Sequence, residues 1–220
     1  MSLQAVRRPL KDDLIQYIAS RTPVLFFQRV VEEIEAAHFA AHQHAGTFEA
    51  PERFRVQPQL THYRSNEALR KAASDAGLVV AAPHTEPKGE RFSLVASGEI
   101  RFGQICVPFD NRIPRPAKHR KAIAAVNGRL EPAHADLFSG VTEPLPDGLG
   151  CLIVAVKAHK SEPQSVPFGV MVGVPYSSLA DWHVFVPVSE VMAAYHPEEK
   201  IEVPDLAFAT LKRRMGESEK

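Results

Sequence analysis

The stretch "RFSLVASGEIRFGQICVP", residues 91–108, sets the architecture expected of this chain. Its two apolar runs are rich in β-branched and aromatic residues. Ser97-Gly98-Glu99 between them has the composition of a tight turn, so the runs read as two antiparallel strands. "LVVAAPH", 78–84, has the same character and adds a third strand to a meander.

Upstream the apolar period is helical rather than alternating. Residues 12–20, "DDLIQYIAS", suit a short amphipathic helix capped by Asp12 or Asp13. Thr22 and Pro23 supply an N-cap and a first-turn proline for a longer helix that stops near Gly46. Phe27, Val30, Val31, Ile34, His38 and Ala41 fall on one face of it at three-and-four spacing. The two prolines in "APERFRVQPQL" predict a loop over 50–60. "RSNEALRKAASDAGL" then predicts a second helix, opened by Ser65 or Asn66 and closed at Gly77.

Downstream, a helix is expected over Pro116–Asn127, stopped by Gly128, and "VTEPLPDGLG" reads as a turn-rich connector. "CLIVAVKAHK", "FGVMVGVPY" and "WHVFVPV" are three further strands, with Pro175 and Pro187 restricted to strand ends or an edge. Residues 188–196 and about 204–215 could form short helices, before the tail "GESEK". The expectation is one α+β domain over 1–220. A helical part at about 12–77 precedes a mixed or mostly antiparallel sheet at about 78–196, with a basic helix intervening.

The 220 residues carry 45% apolar and 24% charged side chains, a balance that suits a packed core and argues against wholesale disorder. The longest apolar runs fall well short of the roughly 20 residues of a membrane-spanning helix, and the N-terminus lacks the apolar core of a secretory signal. Cys106 and Cys151 sit singly in apolar runs and read as small buried hydrophobes, so a reducing, cytoplasmic setting is expected. No phosphate-binding loop, dinucleotide fingerprint, nucleophile elbow or zinc-finger spacing occurs.

Net charge is zero overall but unevenly distributed. Residues 61–130 hold 12 basic against 6 acidic groups, and 131–220 hold 7 against 13. Within 111–130, Arg112, Arg115, Lys118, Arg120, Lys121 and Arg129 occur without an acidic residue. On a helical wheel Lys118, Lys121, Ala125 and Arg129 face away from His119, Ile123, Val126 and Leu130, while Arg120 and Asn127 share a flank. Cations in a helix's first turn oppose its dipole by about 0.3–1 kcal/mol each, and a bound phosphate would relieve this. The six cations are therefore candidate phosphate-binding residues. Nucleic acid or another phosphorylated anion is the expected partner, and the protein could be a nuclease or nucleic-acid-modifying enzyme. The alternative is a noncatalytic interaction or inhibitor protein whose basic middle and acidic end pair within a homo-oligomer or with an acidic protein partner.

Candidate catalytic groups are His62 and Tyr63 in "LTHYRSNE", where Arg64 stands beside them, and His159 in "VKAHK", expected on one strand face with Lys157. No cofactor is expected. Mg²⁺ enters only under a metal-nuclease reading built on Glu86, Glu90, Glu99 and Lys88, which departs from the usual acidic-then-Glu-x-Lys pattern. Glu35, His38 and His42 could share a helix face, but no second ligand motif accompanies them, and no metal site is predicted.

Overall fold

In a computed structural model, which describes residues 10–85, 87–131 and 148–196, helices precede a six-stranded mixed sheet, an α+β arrangement. Helix α1 spans Leu10–Arg21, α2 Val24–Ala45 and α3 Ala50–Asp75. Strands β1 (Val79–Ala81), β2 (Leu94–Ser97) and β3 (Ile100–Val107) form the meander expected from 78–108. Gly98, at φ 56°, takes the positive angle that a two-residue hairpin of type II′ needs at its first central position. Helix α4 (Lys118–Ala124) continues as a 3-10 turn over Ala125–Leu130. Then come β4 (Leu149–Val156), β5 (Gly169–Pro175), β6 (Trp182–Pro187) and α5 (Val188–Ala193). The sheet order follows the chain, and β3 with β4 is its parallel pair.

Period-two alternation assigns the two faces. Ile100, Phe102, Cys151, Ile153, Ala155, Val172, Val174, Val184 and Val186 belong to one core shared with α1, α2, α3 and α5. Phe26 and Phe27 of α2 meet Phe102 there, with ring centroids 5.1 and 6.2 Å away. Burying such a ring stabilises the fold by about 1.5–3 kcal/mol. Ile105, Val107, Leu152, Val154 and Val156 face the other way, toward Ile123, Phe109 and Trp182. All eight residues of β4 are buried, as expected of a strand covered on both sides. Helix α4 lies close on this second face because Gly150 has no side chain. A Cβ there would stand 1.9 Å from the Ile123 carbonyl oxygen.

Four local expectations are corrected. Residues 50–60 are not a loop: α3 begins at Ala50 with Pro51 in its first turn, where a missing N–H costs nothing, and runs through Pro58. An interior proline costs roughly 3 kcal/mol. The helix persists because Thr61, Ser65, Ala68, Leu69, Ala72 and Ala73 are buried, and Ala37, Ala41 and Ala45 of α2 let the two helices approach closely. Ser65 and Asn66 therefore lie inside the helix and are buried rather than capping it. Thr22 does not cap α2 through its side chain: Pro23 occupies the N-cap, and the Thr22 hydroxyl is buried without a hydrogen-bond partner among the described residues. The basic helix is shorter than expected, seven residues followed by a tighter turn.

Among the described residues no helix is long and apolar enough to cross a membrane. Cys106 and Cys151 are free thiols. The predicted helix at about 204–215, the tail and most of the 141–150 connector lie outside the described residues.

Candidate anion site

A parallel strand pair leaves its carboxyl ends together, a common place for ligand sites in sheets with helical crossovers. Here Val107 ends β3, Val156 ends β4, and the Lys157 N–H donates to the Val107 carbonyl at 2.9 Å, holding the two exits side by side. Beyond them lies a cavity of about 260 Å³. Pro58, Thr61 and His62 of α3 form one wall, Ile105–Pro108 the floor, and Ile113, Arg115, Arg120 and Lys157 the remainder.

The segment from Pro108 to Ala117 is tied down at several points. Trp182, whose ring covers Gly173, donates its indole N–H to the Arg112 carbonyl at 3.0 Å. The Arg112 guanidinium lies over the rings of Phe109 and Phe168, at 5.7 and 5.8 Å from their centroids. Arg120 donates through Nη1 to the Arg115 carbonyl at 2.7 Å, so α4 fixes the approach to its own first turn.

Three cations consequently converge on one cavity that no carboxylate among the described residues lines. Among the described residues none of Arg115, Arg120 or Lys157 forms an ion pair with a carboxylate. The Arg120 Nε is buried without an acceptor among the described residues. Burial lowers the Arg120 pKa from its ordinary value, and the neighbouring Arg115 charge pushes in the same direction. Arginine nonetheless remains protonated in proteins, so the site holds a desolvated, partly unsatisfied charge.

His62 shares this cavity, which unites one of the candidate histidines with part of the basic segment. Glu90 backs it at 3.6 Å from Nε2 and accepts from the Tyr63 hydroxyl at 3.1 Å. That bond raises the Tyr63 pKa. The acidic residue is brought there by Asn66 and Ser93: the Ser93 N–H donates to Asn66 Oδ1 at 3.0 Å, and its hydroxyl to the Asn66 carbonyl at 2.7 Å. Arg70 adds a 2.7 Å bond to the same hydroxyl, fastening the segment before β2 to α3.

The other candidate residues are dispersed. Lys118, Lys121 and Arg129 point to solvent, as the wheel predicts, and Arg112 is occupied by its two phenyl rings. The wheel misplaces Asn127, which is fully buried. His159 does not line the cavity. Strand β4 ends at Val156, so Lys157 and His159 follow the strand instead of sharing its face; His159 bonds the Ser161 hydroxyl at 2.7 Å and meets Phe109 edge-on. Of the magnesium-reading residues, Glu90 is engaged by His62 and Tyr63, and Glu99 lies in the hairpin turn at the far end of β2. Lys88 is exposed, and Glu86 lies outside the described residues.

Composition gave little warning of Cys106 and His38. The Cys106 sulfur lines the cavity, 3.8 Å from His38 Nε2 and 3.3 Å from the Gln104 amide nitrogen. Burial raises the Cys106 thiol pKa, and burial with the Lys157 charge lowers the His38 imidazole to about 4. Both stay uncharged at neutral pH, so the pair forms a neutral wall rather than an ionised nucleophile and base.

Compared with protein-family models, curated proteins and solved structures, the chain gives no match, and the functional reading rests on the site itself.

Proposed function

We propose that the protein binds a phosphorylated ligand, whose phosphate occupies the cavity beyond β3 and β4 among Arg115, Arg120 and Lys157. The observation carrying this reading is the convergence of three cations on a cavity that, among the described residues, no carboxylate lines and in which the buried Arg120 Nε has no partner. A phosphate supplies several acceptor oxygens and negative charge together, answering both deficits through charge-assisted hydrogen bonds. His62, backed by Glu90, is the proton-transfer group for hydrolysis of the bound ester. It takes a proton from the attacking water, whose oxygen forms a new P–O bond as the ester P–O bond breaks, and the departing alkoxide leaves as the alcohol with that proton. The solvent-facing Lys118, Lys121 and Arg129 add contacts where the ligand is a longer nucleic acid. The free thiols suit a reducing, cytoplasmic setting.

Binding of 5′-phosphorylated RNA and DNA oligonucleotides across a salt series tests this. Arg115→Ala and Lys157→Met are each expected to weaken binding about tenfold and to reduce the salt slope by about one. A paired Lys118→Ala, Lys121→Ala change should affect an oligonucleotide but leave a single phosphate group bound as before. His62→Gln should keep affinity and lose cleavage, followed with and without EDTA. Unchanged affinity and slope in both Arg115→Ala and Lys157→Met would overturn the assignment.

A further inference from the structure

A second cavity of about 150 Å³ adjoins the first. The two share Pro58, Thr61 and Lys157 in their linings, which places them side by side. Together they reach the lower part of the roughly 300–1,000 Å³ range of small-molecule sites. The second cavity differs in chemistry. Its lining includes Phe54, Gln57, Gln164 and His38, and among the described residues Lys157 is its one cation.

Phe54 lies one turn before Pro58 and is 78% exposed, the largest exposure among the exposed large apolar residues described. An aromatic ring left in water at a cavity mouth has a face to offer, and base–aromatic stacking contributes about 1–3 kcal/mol per base. The two glutamines are held in place through their nitrogens. Gln57 Nε2 donates to the Gln164 carbonyl at 3.2 Å and to His42 Nδ1 at 3.3 Å. Gln164 Nε2 reaches the carbonyls of Ala158, His159 and Glu162 at 3.0–3.1 Å. Their side-chain carbonyl oxygens receive no donor among the described residues, leaving two oriented acceptors. His38 is uncharged at neutral pH, which favours a neutral moiety over a second phosphate.

We infer that the ligand is a nucleotide unit, its phosphate among Arg115, Arg120 and Lys157 and its base stacked on Phe54, with the Gln57 and Gln164 oxygens accepting from an exocyclic amino group. The inference rests on the proposed phosphate site and names the class of molecule that fills it. A base with an amino group is favoured because the two glutamine oxygens are acceptors, and Lys157 is directed to the phosphate.

The test titrates the full chain with cytidine 5′-monophosphate, uridine 5′-monophosphate and ribose 5-phosphate. The cytidine nucleotide should bind at least tenfold more tightly than ribose 5-phosphate, and more tightly than the uridine nucleotide, which lacks the amino group. Phe54→Ala should remove most of the advantage over ribose 5-phosphate without changing affinity for ribose 5-phosphate itself, and Phe54→Trp should preserve it. Phe54 is exposed, so an unchanged melting temperature establishes that the variants are folded. Equal binding of all three probes, or a Phe54→Ala chain with undiminished preference, overturns the nucleotide assignment and leaves the phosphate site standing. Absence of binding by all three overturns both.

Discussion

An Asn127→Leu chain is expected to be less stable than the parent by roughly 4 kcal/mol, a large fraction of the 5–15 kcal/mol that holds a typical domain together. Asn127 is fully buried beneath the 3-10 turn. Its Nδ2 donates to the carbonyls of Gly150 and Pro175 at 2.9 and 2.8 Å, and its Oδ1 accepts from the Gly150 N–H at 2.8 Å. Continuing the β4–β5 register two residues past the Leu152–Gly173 pair places Gly150 opposite Pro175. Pro175 has no N–H to contribute to a ladder, and the Asn127 amide serves in its place. Leucine fills a similar volume but orphans two carbonyls and one N–H, each worth about 1–3 kcal/mol when left buried and unsatisfied. Urea unfolding should show a lower midpoint with an unchanged slope. A loss below about 1 kcal/mol would mean that water or backbone rearrangement replaces the amide.

Asn127 also marks the boundary of what the sequence reveals. Wheel geometry places it on a flank beside Arg120, because a regular helix is assumed through Gly128; the switch to a 3-10 turn after Ala124 rotates it inward. Strands were readable where β-branched alternation met a turn glycine, as in 91–108, since that pattern depends on local chemistry alone. The first half of α3 was not: Pro51 and Pro58 speak for a loop, and only the buried alanine-rich face against α2 overrides them. The same division applies to the site. Arg115, Arg120, Lys157 and His62 could be singled out by residue type, but their meeting depends on α3, the β3 exit and the β4 exit lying side by side. Cys106 and His38 stand 68 positions apart, and nothing local links them.

Lowering the pH from 7 to 4.5 is expected to remove about 2–3 kcal/mol of the parent protein's stability through His38, by the roughly 1.4 kcal/mol that each pKa unit represents. The imidazole is 4% exposed and faces Cys106 of β3, Lys157 beyond β4 and Gln57 of α3 across the second cavity. Burial is the larger cause of its depressed pKa, the Lys157 charge the smaller, and together they bring it from 6.5 to about 4. Below about 6.5 the unfolded chain takes up a proton that the folded protein refuses, so the unfolded state binds more protons and stability falls with pH. Below about 4 both states are protonated and the contribution of His38 levels off. His119 is lowered to about 4 as well and acts in the same sense, with a smaller share because it is only half-buried, stacked on Phe92 at 4.6 Å. A His38→Leu chain should show a flatter stability profile from pH 7 to 4.5; an unaltered profile would locate the acid sensitivity elsewhere. The same experiment reports on the anion site. Phosphate beside Lys157 offsets the smaller of the two causes and lets His38 accept a proton at higher pH. Bound ligand should therefore reduce the acid loss only partly, while burial maintains the rest.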